Sequence, residues 1–586
     1  MNIFAHVDKK VIVILEALRK AGDLPSELDI KGIEIQEPRD PSHGDLASNA
    51  AMALAKRAGH KPRDLAEKIA NQLAQDEEID KVDVAGPGFI NITLADATWK
   101  NVIATILREK NAYGRSTLGT GKRIHIEYVS ANPTGPMHIG HCRGAVFGDT
   151  LANLLSFAGY DVSREYYVND AGAQVEKLGK TALLRYYEAL GNDIGEIPEG
   201  LYPGEYMKPI GQTLKDKHGS KLREMDENDA LAIARETAVQ ILLNEIRDDL
   251  AALNVKHDVF FSERSLTSKG RDQVAEAIEE LRQAGLIYEG QLPKPLGHDD
   301  EEWEEREQTL FRSTEFGDDV DRALLKSDGS YTYFANDVAY HRNKLERGFD
   351  EYLNVLGADH SGYILRLKAV VKALSNNTAE LETPVTQLVK VMRDGHPVRM
   401  SKRAGTFVAL RDVVDEVGHD PVRFMMMMRK HDSPLDFDLS KVVEQSKDNA
   451  VFYVQYAHAR AESIFRKAAK IFPQLSISSD DLKKADLTLL NDNGERALIR
   501  ELSKFPRVIS SAARDREPHR ISFYLYDLAS AFHQQHARGN DLPQLRFIQE
   551  DDIKLTSARL ALVASARHVI ACGLGVLGVS APVEMQ

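Results

Sequence analysis

The chain has 586 residues, 43% hydrophobic and 28% charged, enough for several separate cores rather than one. Its formal net charge of −14 argues against indiscriminate nucleic-acid binding, yet it describes the whole surface and leaves room for a local basic face opposite a specific RNA. Its two cysteines, Cys142 and Cys572, lie far apart without paired spacing, which excludes a disulfide framework or a Cys-rich metal site and fits a reducing cytosol.

Near the start, the apolar run Val11 to Leu15 is closed off by Glu16, Arg19 and Lys20, and reads as amphipathic helix rather than as a signal. No stretch of about 18 uncharged apolar residues follows anywhere, so a cytoplasmic protein without a membrane anchor is expected. Residues 1–115 mix helical stretches, Ser48 to Lys56 and Asp64 to Gln75, with short alternating runs around Gly86, Pro87, Gly88 and Phe89, and predict a small α+β domain. A Gly-, Ser- and Thr-containing linker from Tyr113 to Gly121 ends it, and a β-rich run from Arg123 to Val129 opens the next domain.

A turn at Pro133, Gly135 and Pro136 leads into a helical pattern from His138 to Ala158, closed by Gly159, and then a strand-like run from Val162 to Val168. This is a βαβ unit. Further α/β material runs to about residue 440, broken between roughly 175 and 325 by a polar, mainly helical stretch that reads as an insertion. Within it, Asp299 to Glu307 is strongly acidic and reads as a solvated face. Beyond 440, helical periodicity alone persists, as in Ile521, Tyr524, Leu525, Leu528 and Phe532, and predicts an all-α bundle over 441–586.

Two sets of residues carry chemistry. His138 and His141, three apart at a helix start, project from one side, with Gly140 between them offering backbone against which a flat base or ribose can lie. The helix N-terminus adds free N–H groups and partial positive charge for phosphates, and the imidazoles can donate to triphosphate oxygens. Taken alone, a plain helix start explains these residues equally well. The second set is Arg399, Met400, Ser401, Lys402 and Arg403, followed by Ala404, Gly405 and Thr406. Three cations within five residues need solvent or an anion, and a leaving pyrophosphate is such an anion.

Together these sets resemble the HIGH and KMSKS signatures of class I aminoacyl-tRNA synthetases, with Arg399 and Arg403 departing from the second signature and Lys402 keeping its second lysine. The run Glu127, Tyr128, Val129, Ser130, Ala131, Asn132, Pro133, Thr134, Gly135 and Pro136 resembles arginyl-tRNA synthetases in particular, and the resemblance extends over the whole chain. It implies a Rossmann-type parallel-sheet catalytic domain over 116–440 with helical insertions, an N-terminal domain that contacts the tRNA elbow, and a C-terminal anticodon-binding bundle. It also implies ATP-dependent formation of arginyl-adenylate, with Mg²⁺ arriving on the ATP rather than on a protein-ligated site, and transfer to the 2′-hydroxyl of the terminal adenosine of tRNA(Arg). Activation would require tRNA to be bound, and the expected enzyme is a monomer with no affinity for DNA or membrane.

Residue by residue, the resemblance assigns His138, Gly140, His141, Met400, Ser401 and Lys402 to ATP, with His138, His141 and Lys402 as the catalytic groups. Glu127, Ser130 and Asn132 would line the arginine pocket with His141, while Tyr333 and Asp337 hold the guanidinium; Asp359 and His360 would contact ATP or the substrate amino group. A guanidinium is a planar fork of donors that a well-placed carboxylate matches bidentately. On the bare pattern, however, Asp337 reads as a strand-end cap, and Asp359 with His360 as a turn before a helix. For RNA, the resemblance points to Phe89 and Asn91 and to Tyr453, Tyr456 and Arg460, whereas their composition alone makes Phe89 and most aromatics from Phe452 to Tyr456 core residues. A small-molecule nucleotidylyltransferase would not need the helical bundle, and a catalytically silent tRNA-binding paralogue should have lost His138, His141 or Lys402.

Overall fold

The computed structural model describes residues 2–38, 40–268, 270–292, 307–398 and 408–585. The chain divides into two compact units, Thr117–Gln445 in one and Met1–Ser116 with Ser446–Gln586 in the other.

The central unit is built on Arg123–Glu127 (β1), whose Ile124, His125 and Ile126 are all fully buried, as befits a strand covered on both faces. The helix Ile139–Phe157 (α1) returns the chain to Asp161–Val168 (β2), which pairs parallel to β1 with Ile124 opposite Val162. Helices Ala173–Ala189 (α2) and Glu227–Ala252 (α3) then pack on each other through Leu178, Ala182, Tyr186, Ala234 and Leu242. Val259–Ser262 (β3) rejoins the sheet beside β2. Farther along, Tyr333–Glu346 (α4), Glu351–Asn354 (β4), Ile364–Leu374 (α5) and Leu381–Glu382 (β5) complete the sheet in the order β5-β4-β1-β2-β3, all parallel. Strand order reverses between β1 and β4, so a crevice opens where their carboxyl ends, Glu127 and Asn354, lie side by side.

The expected α/β class and βαβ unit are present, but the stretch from 175 to 325 is less helical than its composition suggests. It contributes β3 to the parallel sheet and holds a separate antiparallel sheet of Ile287–Gly290, Gln308–Phe311 and Arg322–Leu325. Strands of four residues place only one or two side chains in a core and leave no readable alternation. Of the acidic run, Glu307 is exposed and 299–306 lie outside the described residues.

Helix α1 is buried on nearly every side and carries polar groups inward. Gly148 is required there, since a Cβ would come within 2.5 Å of the Tyr128 Cβ. Arg143, 1% exposed, donates to the carbonyls of Gln387, Lys430 and Ser433. Asp149 pairs at 2.6 Å with Arg423 of His419–Met426 (α6), and that guanidinium also donates to the Leu253 and Asn254 carbonyls. The helix is thereby fixed to the segments that follow residue 386.

In the other unit, Ile35–Gln36, Leu46–Ser48, Phe89–Leu94 and Ile79–Ala85 form an antiparallel sheet in that order, covered by Ile3–Lys20, Ala50–Ala58, Pro62–Leu73 and Asp96–Glu109. The bundle consists mainly of Ala450–Ile471, Asn493–Asp515, His519–Asp541 and Ile553–Leu577. One internal cross-link is a buried Arg559–Glu495 pair at 2.7 Å. The Asp45–Arg500 pair at 2.7 Å and the Tyr113 hydroxyl, donating to the Leu502 carbonyl, join sheet domain to bundle. Ile553–Leu577 is long and apolar enough to cross a membrane, with mean hydropathy 1.8 over its most apolar window, but 78% of that window is buried in the bundle.

Replacing Asp149 with alanine strands the fully buried Arg423 charge. Loss of one partner of such a pair costs about 3–5 kcal/mol, so Asp149→Ala should lower the denaturant midpoint of the central unit, while Asp149→Asn, which keeps an acceptor, should be milder. Equal midpoints for wild type and Asp149→Ala would contradict this reading.

Candidate active site

The chain leaves β1 through a strained turn. Val129 and Ser130 have φ of 71° and 42°, a left-handed conformation that a β-branched residue rarely adopts. Neighbouring bonds hold it. The Tyr128 hydroxyl donates to the Lys256 carbonyl at 2.6 Å and that of Tyr166 to Ala131 at 2.6 Å. Ser130 Oγ donates to Glu127 Oε1 and accepts from the Tyr167 amide, both at 3.0 Å. Farther on, the Tyr206 hydroxyl braces the Thr134 carbonyl at 2.8 Å.

His138 is the N-cap of α1. Its Nδ1 accepts from the Gly140 amide at 3.1 Å, and His141 Nδ1 accepts from the His138 amide at 3.3 Å, a reciprocal capping box. With Nδ1 accepting in both, each imidazole carries its proton on Nε2. The rings stack with centroids 3.9 Å apart. A Cβ at Gly140 would lie 2.8 Å from His138 Nδ1, so this glycine makes room for the imidazole that caps the helix.

The second signature, Arg399, Met400, Ser401, Lys402, Arg403, Ala404, Gly405 and Thr406, lies outside the described residues. Both of its flanks are anchored. Val398 donates to the Val391 carbonyl at 2.9 Å, while Ile139 donates to Val408 at 3.2 Å and Leu410 to Met137 at 2.9 Å. The chain therefore emerges from 399–407 directly against the start of α1.

Helix α4 forms the other wall. Tyr333, Asp337, His341 and Lys344, spaced four, four and three apart, share one face, and Asp337 is an interior helical residue rather than the strand-end cap its pattern suggested. Tyr333 is 64% exposed and its ring lies over Gly172, where a Cβ would meet it at 3.3 Å. Lys344, 1% exposed, donates to Glu127 Oε2 at 2.5 Å and to Asn354 Oδ1 at 2.9 Å. His341 Nδ1 donates to the Asp337 carbonyl at 2.8 Å, leaving Nε2 to accept from Asn354 at 3.3 Å. Burial, reinforced by the Lys344 cation, pushes the His341 pKa down to about 3.

Three carboxyl groups meet here in different states. Burial would raise Glu127, but the charge and hydrogen bond of Lys344 outweigh it and hold this carboxyl below its ordinary value. Glu263, 6% exposed, is raised by burial; it accepts from Asn336 at 2.6 Å and, with the Asn169 amide turned to satisfy its neighbours, from Asn169 at 2.9 Å. Asp337 is half-buried, and its carboxylate accepts no hydrogen bond from the described residues. Burial first, then the charges of Glu263 and Glu127, lift it to about 7. The Tyr167 phenol, also raised by burial, feels Glu263, Asp337 and Glu127 together, which places all three around one ring. Among the described residues, Lys344 is the cation hydrogen-bonded to these carboxyls, and it is bonded to Glu127.

Of the residues expected from sequence, Glu127, Ser130, Asp337 and Tyr333 converge on this crevice. Asn132 is exposed and donates to Gln174 of α2 at 2.9 Å. Asp359 and His360 sit in a short 3-10 helix, Ala358–Tyr363, both largely exposed and facing each other at 3.6 Å. Glu263, Tyr167 and Lys344 escaped the sequence reading; only Lys344, one face-turn along from Asp337 and His341, carried a periodic signal.

The RNA-facing expectations need correction in detail. Phe89 opens its strand 39% exposed rather than in the core, whereas Asn91 is 8% exposed and faces into the sheet domain. In the bundle, Phe452 and Tyr453 are half-buried and Tyr456 is 39% exposed, so none of the three is core. Arg460 stacks on Tyr456 at 4.5 Å and approaches His533 Nδ1 at 2.7 Å. These rings form an aromatic and cationic ledge with exposed Phe523 and Tyr526 nearby in the same bundle.

Comparison with known proteins bears on the whole chain. Three family descriptions match in succession: "Arginyl tRNA synthetase N terminal domain" over 12–94, "tRNA synthetases class I (R), catalytic domain" over 102–465 and "DALR anticodon binding domain" over 454–585. An arginine–tRNA ligase of a Bradyrhizobium species is 58% identical across 100% of this chain and 98% of its own. That of Xanthobacter autotrophicus is 58% identical with 100% of both chains covered. The Thermus thermophilus arginyl-tRNA synthetase structure shares the fold at 21% identity, with a TM-score of 0.69 over 98% of each chain. A parallel sheet with its crevice at the β1/β4 switch, a paired-histidine helix start and full-length identity of this order lead to one conclusion: the chain belongs to the class I arginyl-tRNA synthetases, the arginine–tRNA ligases.

Proposed function

We propose that the crevice binds L-arginine with its guanidinium on Asp337 and Glu263, against Tyr333, and its carboxylate toward the start of α1. The observation that carries this reading is the Asp337 carboxylate, half-buried, without a hydrogen bond from the described residues, and beside two other carboxyls. Glu127 and Ser130 line the same crevice, and Asn132, exposed and bonded to Gln174, is the further residue proposed to meet the arginine. A lysine side chain would bring a point charge where the pocket suits a planar fork of donors.

In the first step the arginine carboxylate oxygen attacks the α-phosphorus of ATP as the bond to pyrophosphate breaks. His138 and His141 donate Nε2–H to the triphosphate, which carries Mg²⁺ with it, Gly140 keeps the backbone close, and Lys402 with Met400 and Ser401 neutralises the departing pyrophosphate. Asp359 and His360 serve the ATP or the substrate amino group. In the second step the 2′-hydroxyl of the terminal adenosine of tRNA(Arg) attacks the activated carbonyl and AMP leaves. The protein's task in both is to position and to neutralise. Phe89, Tyr453, Tyr456 and Arg460 meet the RNA, bound tRNA is needed for the first step, and the enzyme works as a monomer in the cytoplasm.

ATP–pyrophosphate exchange with a panel of amino acids, with and without tRNA, tests this function. Exchange should depend on arginine and on tRNA, and exchange supported by a different amino acid would overturn the assignment. Asp337→Asn removes one partner of a desolvated charge pair, a loss of about 2–5 kcal/mol, and should raise KM for arginine accordingly. Because the guanidinium stays charged throughout, protonation of Asp337 weakens its binding as pH falls. With its pKa at about 7 in the empty pocket, kcat/KM for arginine should fall as pH drops below that value and level off above it. Lys402→Ala should slow activation by about 10²–10³, typical for one transition-state donor, with tRNA binding kept; an unchanged rate would remove it from the clamp.

A further inference from the structure

The two oxygens of Glu127 are both engaged inside the protein. Oε1 accepts from Ser130 and Oε2 from Lys344, which is itself 1% exposed and bridges to Asn354 at the neighbouring strand end. Asp337, seven residues before Lys344 on the same helical face, has no such partner among the described residues. Among the described residues, the charged and titratable groups acting on Asp337 include Glu127 at the end of β1, Tyr167 on β2, Glu263 just after β3, Lys344 on α4 itself and Arg366 on α5. Lys344 is the cation among them that is hydrogen-bonded to a carboxylate of the pocket. Its ammonium also lies 4.2 Å from the Tyr340 ring centroid, and Tyr340 in turn donates to the buried Glu165, so Lys344 has no freedom to swing toward the crevice.

We propose that Lys344 is a positioning residue for substrate selection: by holding Glu127 as its own counter-ion, it leaves Asp337 and Glu263 as the carboxyls that an incoming guanidinium meets. This rests on the arginine reading of the crevice. Lys344 touches no substrate; it sets the charge that Asp337 presents. With Lys344 removed, Glu127 becomes an uncompensated negative neighbour that disfavours the ionised form of Asp337. With Glu127 removed, Lys344 becomes an uncompensated positive neighbour that favours it. Removal of both cancels.

The test is the pH dependence of kcat/KM for arginine in tRNA charging, measured for the full-length wild type, K344M, E127Q, E127Q/K344M and D337N. K344M should move the acidic limb to higher pH by on the order of one pH unit, E127Q should move it to lower pH, and the double variant should return it to the wild-type position. A K344M limb that stays in place while the rate falls at every pH is what a merely structural lysine would give, and it overturns the proposal. Should K344M fail to fold, E127Q and the double variant suffice, since the latter leaves neither charge of the pair unpaired. A limb that returns in the double variant supports the proposal, and one that stays where E127Q put it overturns it. D337N separates this outcome from failure of the underlying reading: if D337N keeps both the limb and the wild-type KM, Asp337 is not the guanidinium partner at all.

Discussion

The structure turns on the parallel pairing of two strand ends. Glu127 and Asn354 are register partners at the carboxyl ends of β1 and β4, and one buried ammonium, that of Lys344, is hydrogen-bonded to both. At a switch point the two strands diverge in connection, one feeding α1 and the other the segment toward α5, so that a crevice is unavoidable. Burying three carboxyl groups there is costly unless cations balance them. Lys344 balances one. Burial raises the other two, and with the charges of Glu263 and Glu127 beside it lifts Asp337 to about 7, the feature on which the proposed guanidinium site rests.

A second constraint lies at the other wall. The backbone of Met137–Ile139 is paired with Val408–Leu410, so the helix start bearing His138 and His141 and the segment emerging from the cationic signature share one hydrogen-bonded junction. Arg143 and Arg423 reinforce it from beneath with five backbone hydrogen bonds between them. Any displacement of α1 would break buried guanidinium contacts, which explains how a strained turn at Val129 and Ser130 can be held in place. The start of α1 and the segment Val408–Leu410, separated by more than 250 residues of sequence, are thus joined by main-chain atoms whose identity no side chain reveals.

Strong periodic signals were legible in the sequence. The start of α1 at His138, its end before Gly159, the following strand and the change to all-helical structure after residue 440 all follow from apolar spacing and glycine placement, and the structure agrees within a residue or two. Four-residue strands were not legible, because too few side chains enter a core to mark them. Glu263 is a single acidic residue in a short 3-10 turn, and nothing local distinguishes it from a solvated one until β3 brings it beside Asp337. The rim aromatics Phe452, Tyr453 and Tyr456 misled for a different reason: a bundle helix shows the same heptad-like spacing whether its outermost rings are covered or bare, and here they are partly bare. The family signatures supplied the chemistry, while the geometry supplied the distinction between a carboxylate already paired, Glu127, and one without a hydrogen bond from the described residues, Asp337.

That distinction is most directly tested by calorimetry of arginine binding near pH 7 in buffers of different ionisation enthalpy, which reports the protons exchanged. If a guanidinium replaces the proton on an Asp337 carboxyl whose pKa is about 7, binding should release about half a proton at that pH, and the Asp337→Asn variant should release none. Arginine binding with no proton release in the wild type, or with the same release in the variant, would contradict the claim that Asp337 is the open charge of this site.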